Sequence, residues 1–213
     1  MYRTIKIIYQ ILLGRLHHPY TKWLLSNKSK HLLKDIILNE NSLVIDGGAF
    51  KGEFTARILQ EFNCKVHCFE PIPSFANSLI QRFKQNSNVT VYDLALGNKD
   101  TVITISVDEN ASGTYAKSKN SINVKSIDIT THIDSCQIKK IDLLKLNLEG
   151  AEYDILDKLI TENRIHLVDA LLVQFHDFVP NHNERYKNLY QNLVLTHKLE
   201  WQYEFVWELW KLK

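Results

Sequence analysis

The stretch Leu43-Val-Ile-Asp46-Gly47-Gly48-Ala49-Phe50-Lys-Gly52 constrains the fold more than any other part of the chain. An apolar, β-branched run ends in a carboxylate and a glycine turn, after which Phe54, Ile58, Leu59 and Phe62 recur at helical spacing. This order predicts strand, tight turn and helix. Glycine permits positive φ and close backbone approach, and the first turn of the helix leaves N–H groups unpaired above the strand end. A second run, residues 65–69, ends in Glu70, which lies 24 positions after Asp46, and Pro71 and Pro73 then stop the strand. In nucleoside-binding sheets an acid at about that distance meets a ribose.

The spacing bears on which nucleoside fits. A dinucleotide site needs G-x-G-x-x-G, so that backbone N–H groups and a helix N-terminus hold a pyrophosphate. Read from Gly47, that pattern requires glycine at Ala49 and at Gly52, and only the second is met. The turn reads D-G-G-A-x-x-G, and its leading carboxylate suits a cationic ligand end. S-adenosylmethionine has an amino group, a sulfonium and no phosphate. A glycine turn of this kind is also found in α/β domains generally, so the turn alone leaves a nicotinamide-dependent oxidoreductase open.

With 213 residues, 45% of them hydrophobic and 23% charged, the chain has enough apolar side chains for one full core. Its net charge of +2 is uneven: residues 1–40 carry seven Lys/Arg against two Asp/Glu, and residues 41–213 carry 19 against 22. No stretch alternates basic and aromatic residues, which argues against a nucleic-acid partner. Ile5, Ile8, Ile11 and Leu12 share one helical face beside Arg3, Lys6 and Arg15. Packing of residues 1–40 as a helical segment against a domain at 41–213 is the expected arrangement, and weak association with a membrane surface is the alternative. Three cysteines, Cys64, Cys68 and Cys136, do not make a disulfide framework and fit a reducing, cytosolic compartment. Cys64, His67 and Cys68 run along a buried strand and are read as core, so no metal site is expected.

Further along, Phe75, Ala76, Leu79, Ile80 and Phe83 form a helical stripe, and residues 89–92 a third strand. The β-α-β-α-β alternation implies parallel pairing. Residues 102–107 and 124–129 predict an inserted hairpin, with the polar stretch 110–123 as a lid-like connection. Residues 141–148 read as a strand ending in Asn147-Leu148-Glu149-Gly150, and Glu152, Ile155, Leu156, Leu159 and Ile160 continue as an amphipathic helix. Residues 168–175 form a central strand running into His176 and Asp177. A last helix carries Tyr186, Leu189, Tyr190, Leu193, Val194 and His197, and residues 199–210 a terminal hairpin whose Trp201, Trp207 and Trp210 are read as core or sheet-face residues.

With these motifs in order the chain resembles the FkbM-type methyltransferases, a family of S-adenosylmethionine-dependent O-methyltransferases. The resemblance covers about residues 42–210. It rests on Ile45-Asp-Gly-Gly-Ala-Phe-Lys-Gly52, Phe69-Glu-Pro-Ile-Pro73, Ala95-Leu-Gly97, Ser126-Ile-Asp128, Leu144-Lys-Leu-Asn-Leu-Glu-Gly-Ala-Glu152 and Phe205-Val-Trp-Glu-Leu-Trp210. It implies the class I Rossmann-like α/β fold: a mostly parallel seven-stranded sheet with helices on both faces, N-terminal helices and a C-terminal antiparallel hairpin. Two motifs depart from the family pattern, at three positions. Gly47 and Phe50 replace Val and Asn, and Asn147 replaces Asp, keeping an acceptor while losing a charge.

The cofactor-binding set implied is Asp46, Gly47, Gly48, Ala49, Phe50, Gly52, Glu70, Pro71, Ala95, Leu96 and Asn147. Asp46 and the glycine turn are expected at the methionine end, Glu70 at the ribose, and Ala95 with Leu96 beside the adenine. Glu149 and His176, at two strand ends, are the catalytic candidates, with His176 as general base because imidazole titrates near neutral pH. Glu149 orients the acceptor or, alternatively, caps the helix that begins near Gly150. His176 is otherwise a plain strand-end residue, and Asp177 and His182 either orient substrate or are simply solvated. The resemblance implies a small-molecule hydroxyl acceptor, with a sugar or glycan precursor preferred. A non-catalytic S-adenosylmethionine-fold binding module is the remaining alternative.

Overall fold

The computed structural model of the chain describes residues 13, 18–26, 32–107, 112–113 and 121–213. Helix α1 is Pro19–Leu25, β1 is Leu43–Gly47, α2 Glu53–Phe62, β2 Lys65–Phe69, α3 Pro73–Phe83 and β3 Val89–Tyr92. Strands β4 (Ala95–Gly97), β5 (Thr101–Val107), β6 (Ser112–Gly113) and β7 (Ser121–Asp128) follow, then α4 (Ile129–Ser135). The chain ends with β8 (Leu143–Leu146), α5 (Glu152–Thr161), β9 (Ala170–Val173), α6 (His182–Thr196), β10 (His197–Tyr203) and β11 (Trp207–Leu212). Among the described residues no helix is long and apolar enough to cross a membrane.

The main sheet has the order β10-β11-β9-β8-β1-β2-β3. β1 pairs in parallel with both β2 and β8, β8 pairs in parallel with β9, and β11 enters antiparallel to β9. This is the expected class I arrangement. The chain runs outward from β1 first toward β3 and later, on the other side, through β8, so the crevice between the tips of β1 and β8 is the switch point where ligands of open α/β sheets bind.

Period-two alternation builds the two core layers. Ile45, Leu144, Leu146, Leu171, Val173 and Trp210 face one side and pack with Tyr153 and Leu156 of α5 and Leu189 and Leu193 of α6. Val44, Val66, Leu143, Leu172 and Leu209 face the other side and meet Ile58 of α2 and Leu79 and Phe83 of α3. Gly52 is the N-cap of helix α2 and is left-handed at φ 79°. A Cβ there would lie 2.6 Å from Leu79 Cδ2 and 2.8 Å from a Phe83 ring carbon, so glycine lets α3 close onto the turn.

The inserted hairpin forms as β5 against β7, within a second sheet ordered β4-β7-β5-β6. Most of its connection, expected as a lid, lies outside the described residues, as does the apolar face of Ile5, Ile8, Ile11 and Leu12. Helix α1 packs Trp23 and Leu24 against Val206, with Trp23 and Trp201 ring centroids 5.8 Å apart. Several boundaries shift: the strand read at 141–148 spans Leu143–Leu146, and the one read at 124–129 spans Ser121–Asp128. Residues 168–175 contribute only Ala170–Val173 to the sheet, and His197 opens β10 instead of closing the last helix. The His197 ring N–H donates to Val168 O at 2.8 Å, and that long-range bond takes the residue out of the helical pattern. Trp210 is fully buried core.

Candidate active site

Asp46 and Lys145 stand side by side on neighbouring strands, in register, on the α2 face of the sheet. Lys145 Nζ donates to Asp46 Oδ1 at 2.9 Å and to the carbonyl oxygens of Gly47 at 3.1 Å and Gly48 at 2.8 Å. Thr55 on α2 donates its hydroxyl to Asp46 Oδ2 at 2.7 Å. The carboxylate is wholly buried. Each oxygen of Asp46 holds a donor from below the turn and none of its surface is exposed, so burial sets it back from the direct grip on a methionine end expected of it. Asp46 instead fixes Lys145, and Lys145 fixes the glycine carbonyls. One charged residue inside the apolar run Leu143-Leu144-Lys145-Leu146 was the sequence signal for this pair, since a buried cation needs a buried acid.

Gly48, at φ 77°, seals β1 to β8: a Cβ there would sit 2.2 Å from the Asn147 carbonyl oxygen. Its N–H and that of Ala49 both donate to Phe69 O, at 3.1 and 3.0 Å, so β1, β2 and β8 meet at one point. Gly47 lies between Leu146 and Leu96. Glu70 reaches back over the same turn. Its Oε2 accepts Phe50 N–H at 2.9 Å and its Oε1 accepts Ile72 N–H at 3.0 Å. Burial pushes the Glu70 carboxyl up, and the two N–H groups and Lys145 oppose that rise. The Phe50 ring packs edge-on against Phe75, centroids 4.6 Å apart, and Pro71 is half-buried between Glu70 and α3.

Ala95 and Leu96 do not form an open wall. They belong to β4 of the second sheet, Leu96 at 2% exposure in the main core and Ala95 packed with Ile72, Ile105 and Val124. A three-residue strand pairing with β7, 31 residues away, leaves no local signature of that burial.

At the tips of β8 and β9 the chain assembles a second set of charges. Glu152, fully buried in the first turn of α5, accepts three hydrogen bonds: Leu148 N–H at 2.6 Å, Gly150 N–H at 2.9 Å and His176 Nδ1 at 2.9 Å. A carboxylate only accepts, so Nδ1 of His176 carries the proton of that bond and Nε2 of the neutral ring carries a lone pair. Glu149 Oε2 lies 3.6 Å from Nε2, beyond hydrogen-bond range and within ion-pair range once the ring is charged. Glu149 is not the helix cap: the N-cap residue is Ala151, which makes no side-chain cap bond, and Glu152 ties down the turn before the helix. Sequence reasoning placed Glu152 only on the helix face, although a carboxylate just after a glycine turn is a recognisable N-terminal signal.

Burial alone would lower His176, but the hydrogen bond and charge of Glu152, with the charges of Glu149 and Asp177, carry it above its ordinary value. Burial also raises Glu149, as does the Glu152 charge, while His176 pulls it down. Asp177 is exposed beside this pair, and His182 turns away, its ring T-shaped against Phe205 at 5.4 Å.

Elsewhere, Cys64 and Cys68 are buried core, while His67 Nδ1 pairs with His132 Nε2 at 3.0 Å and Cys136 Sγ sits 3.8 Å from His132 Nδ1. Burial, with the His67 charge, lowers His132 to about 4, and burial with the Lys65 charge lowers His67. Both rings are neutral at pH 7.

Residues 46–205 match the methyltransferase FkbM domain. The chain belongs to the FkbM methyltransferase family. No curated protein matches it. Among solved structures, a Clostridium thermocellum protein described as an rRNA methylase aligns with TM-score 0.54 at 11% identity, over 87% of this chain and 94% of that one. A fibrillarin/Nop5p complex aligns with TM-score 0.50 at 12% identity, over 85% and 78%. Both likenesses are of fold.

Family and fold make S-adenosylmethionine the cofactor of this FkbM methyltransferase, and the residues present fit it. Asn147 Oδ1 is buried with no hydrogen-bond partner among the described residues, an acceptor that an ammonium or a hydroxyl would satisfy. Glu70, at the neighbouring strand tip, has acceptor lone pairs left after its two backbone bonds. The glycine turn between them carries no side chain at Gly47 or Gly48 that would occlude the crevice.

Proposed function

We propose that this methyltransferase transfers its methyl group to a hydroxyl oxygen of a small molecule, a sugar or glycan precursor. The observation that carries the reading is the His176 ring, wired at Nδ1 to buried Glu152 and left with an accepting Nε2 beside Glu149. When bound, S-adenosylmethionine supplies a methyl on a sulfonium, so the acceptor oxygen gains a C–O bond as the C–S bond breaks and the neutral thioether leaves without an acid. The chain's own tasks are to align the acceptor and to remove its proton.

His176 Nε2 takes the hydroxyl proton. The imidazolium that results lies between two carboxylates, Glu152 at Nδ1 and Glu149 near Nε2, which stabilise it as the charge develops. Glu149 also offers an oxygen to a neighbouring acceptor hydroxyl. Glu70 and Asn147 hold the adenosyl and amino-acid ends, and the Lys145–Asp46 pair keeps the turn between them in shape.

The slight acidity of residues 41–213, 19 Lys/Arg against 22 Asp/Glu, supports a small acceptor over a nucleic acid, whose backbone is bound through clustered cations. Incubation of the purified chain with methyl-labelled S-adenosylmethionine and a panel of monosaccharides, sugar nucleotides, glycolipids and a structured RNA tests the reading. Label on a sugar oxygen is the expected result. Label on RNA alone would replace the acceptor, and cofactor binding with no labelled product would leave a non-catalytic module.

A further inference from the structure

A cleft of about 290 Å³ opens beside the active site, between α1, the tip of β9 and the turn joining β10 to β11. Gln174 and Asp177 line it, and His176 lies between them in the chain. The cleft therefore borders the strand end that carries the base. Its walls include the rings of Trp23, Phe205 and Trp207, and its titratable lining is the imidazole of His18 with the carboxylates of Asp177 and Glu204, and no lysine or arginine. Among the described residues neither carboxylate has a hydrogen bond or ion-pair partner. Both are exposed at the rim, so pairing with a ligand demands little desolvation.

This combination discriminates by charge. Aromatic faces receive the C–H face of a sugar ring and attract a cation, and two unpaired carboxylates accept from hydroxyls or an ammonium. A phosphate or carboxylate meets two like charges with no lysine or arginine to offset them. The volume is at the lower end of small-molecule sites and suits one monosaccharide ring.

Resting on the O-methyltransferase reading above, we propose that this cleft is the acceptor subsite and that it selects an amine-bearing sugar without phosphate. The ring stacks on the aromatic wall, the ammonium sits between Asp177 and Glu204, and a hydroxyl is delivered toward His176 Nε2. Helix α1 and the hairpin turn then set specificity, while the strand tips of the sheet carry the chemistry.

The test uses the full chain and three probes of matched size: glucosamine, glucose and glucose 6-phosphate. Trp23 and Trp207 stand in the wall, so quenching of intrinsic tryptophan fluorescence reports occupancy without turnover. Glucosamine is expected to bind about tenfold more tightly than glucose, with glucose 6-phosphate weakest, and the advantage should vanish in the double variant Asp177→Asn/Glu204→Gln. Equal affinity for the amine and the neutral ring, tighter binding of the phosphate, or no quenching by any probe overturns the proposal. The two readings fail separately. Amine-selective binding without methyl transfer overturns the O-methyltransferase reading and leaves the cleft's preference standing, whereas methyl transfer to glucose and glucosamine with equal KM overturns the preference alone.

Discussion

Asp46 and Glu149 stand at the tips of adjacent parallel strands, yet one is sealed beneath the turn and the other is not. Asp46 is buried between Lys145 and Thr55, at 2.9 and 2.7 Å, whereas the only polar contact of Glu149 among the described residues is His176, at 3.6 Å. The first acid shares its hydrogen bonds with protein and shapes a backbone turn. The second keeps its acceptor capacity, at the cost of a left-handed backbone, φ 52°, that only glycine adopts without strain. Position at a strand end does not by itself assign an acid to chemistry; the carboxylate must also reach the crevice, as Glu149 does and Asp46 does not.

The sharpest way to break the comparison is at the base. His176→Gln keeps a donor for Glu152 but no longer takes a proton, so kcat should fall about 10²–10⁴-fold with the Kd for S-adenosylmethionine unchanged, as single-turnover assays and calorimetry would show. If cofactor affinity falls in step, the histidine belongs to the binding side. Next comes the sealed acid. Lys145→Met leaves Asp46 with one donor in a dry site and should cost about 3–5 kcal/mol of unfolding free energy in urea, part of it recovered in the Asp46→Asn/Lys145→Met double variant.

Glu70→Ala is intermediate, weakening S-adenosylmethionine binding by about 1–3 kcal/mol by calorimetry as a ribose acceptor is lost. Glu152→Gln tests the sign of the electrostatics. Its hydrogen bond and charge raise His176, and a general base must be neutral to act, so their loss should move the acidic limb of the kcat/KM profile to lower pH while lowering the plateau. An unmoved limb would mean that Glu152 serves only the Leu148–Gly150 backbone. Glu149→Gly should change stability least, by no more than about 1 kcal/mol, because released strain offsets added chain entropy.

How much of this was legible in the sequence follows sequence distance. The glycine turn, Glu70 and the strand-end positions of Glu149 and His176 were readable because strand, turn and helix adjoin in the chain. The topology was implied by the β-α-β alternation and the family resemblance, and the sheet order agrees with it. The partners were not readable. Lys145 lies 99 residues from Asp46 and His176 lies 24 from Glu152, and only the register of β1 on β8 and of β8 on β9 brings them together. Leu96 looked like a ligand-facing residue because β4 is too short to show which side it buries.

The contact at Gly48 has a broader consequence. With no room for even a methyl group between that residue and the Asn147 carbonyl, the donor crevice and the strand carrying Glu149 move as a unit and tolerate almost no remodelling. Divergence toward new acceptors is thereby displaced to the periphery, where α1 and the β10–β11 turn can change shape without disturbing the seam.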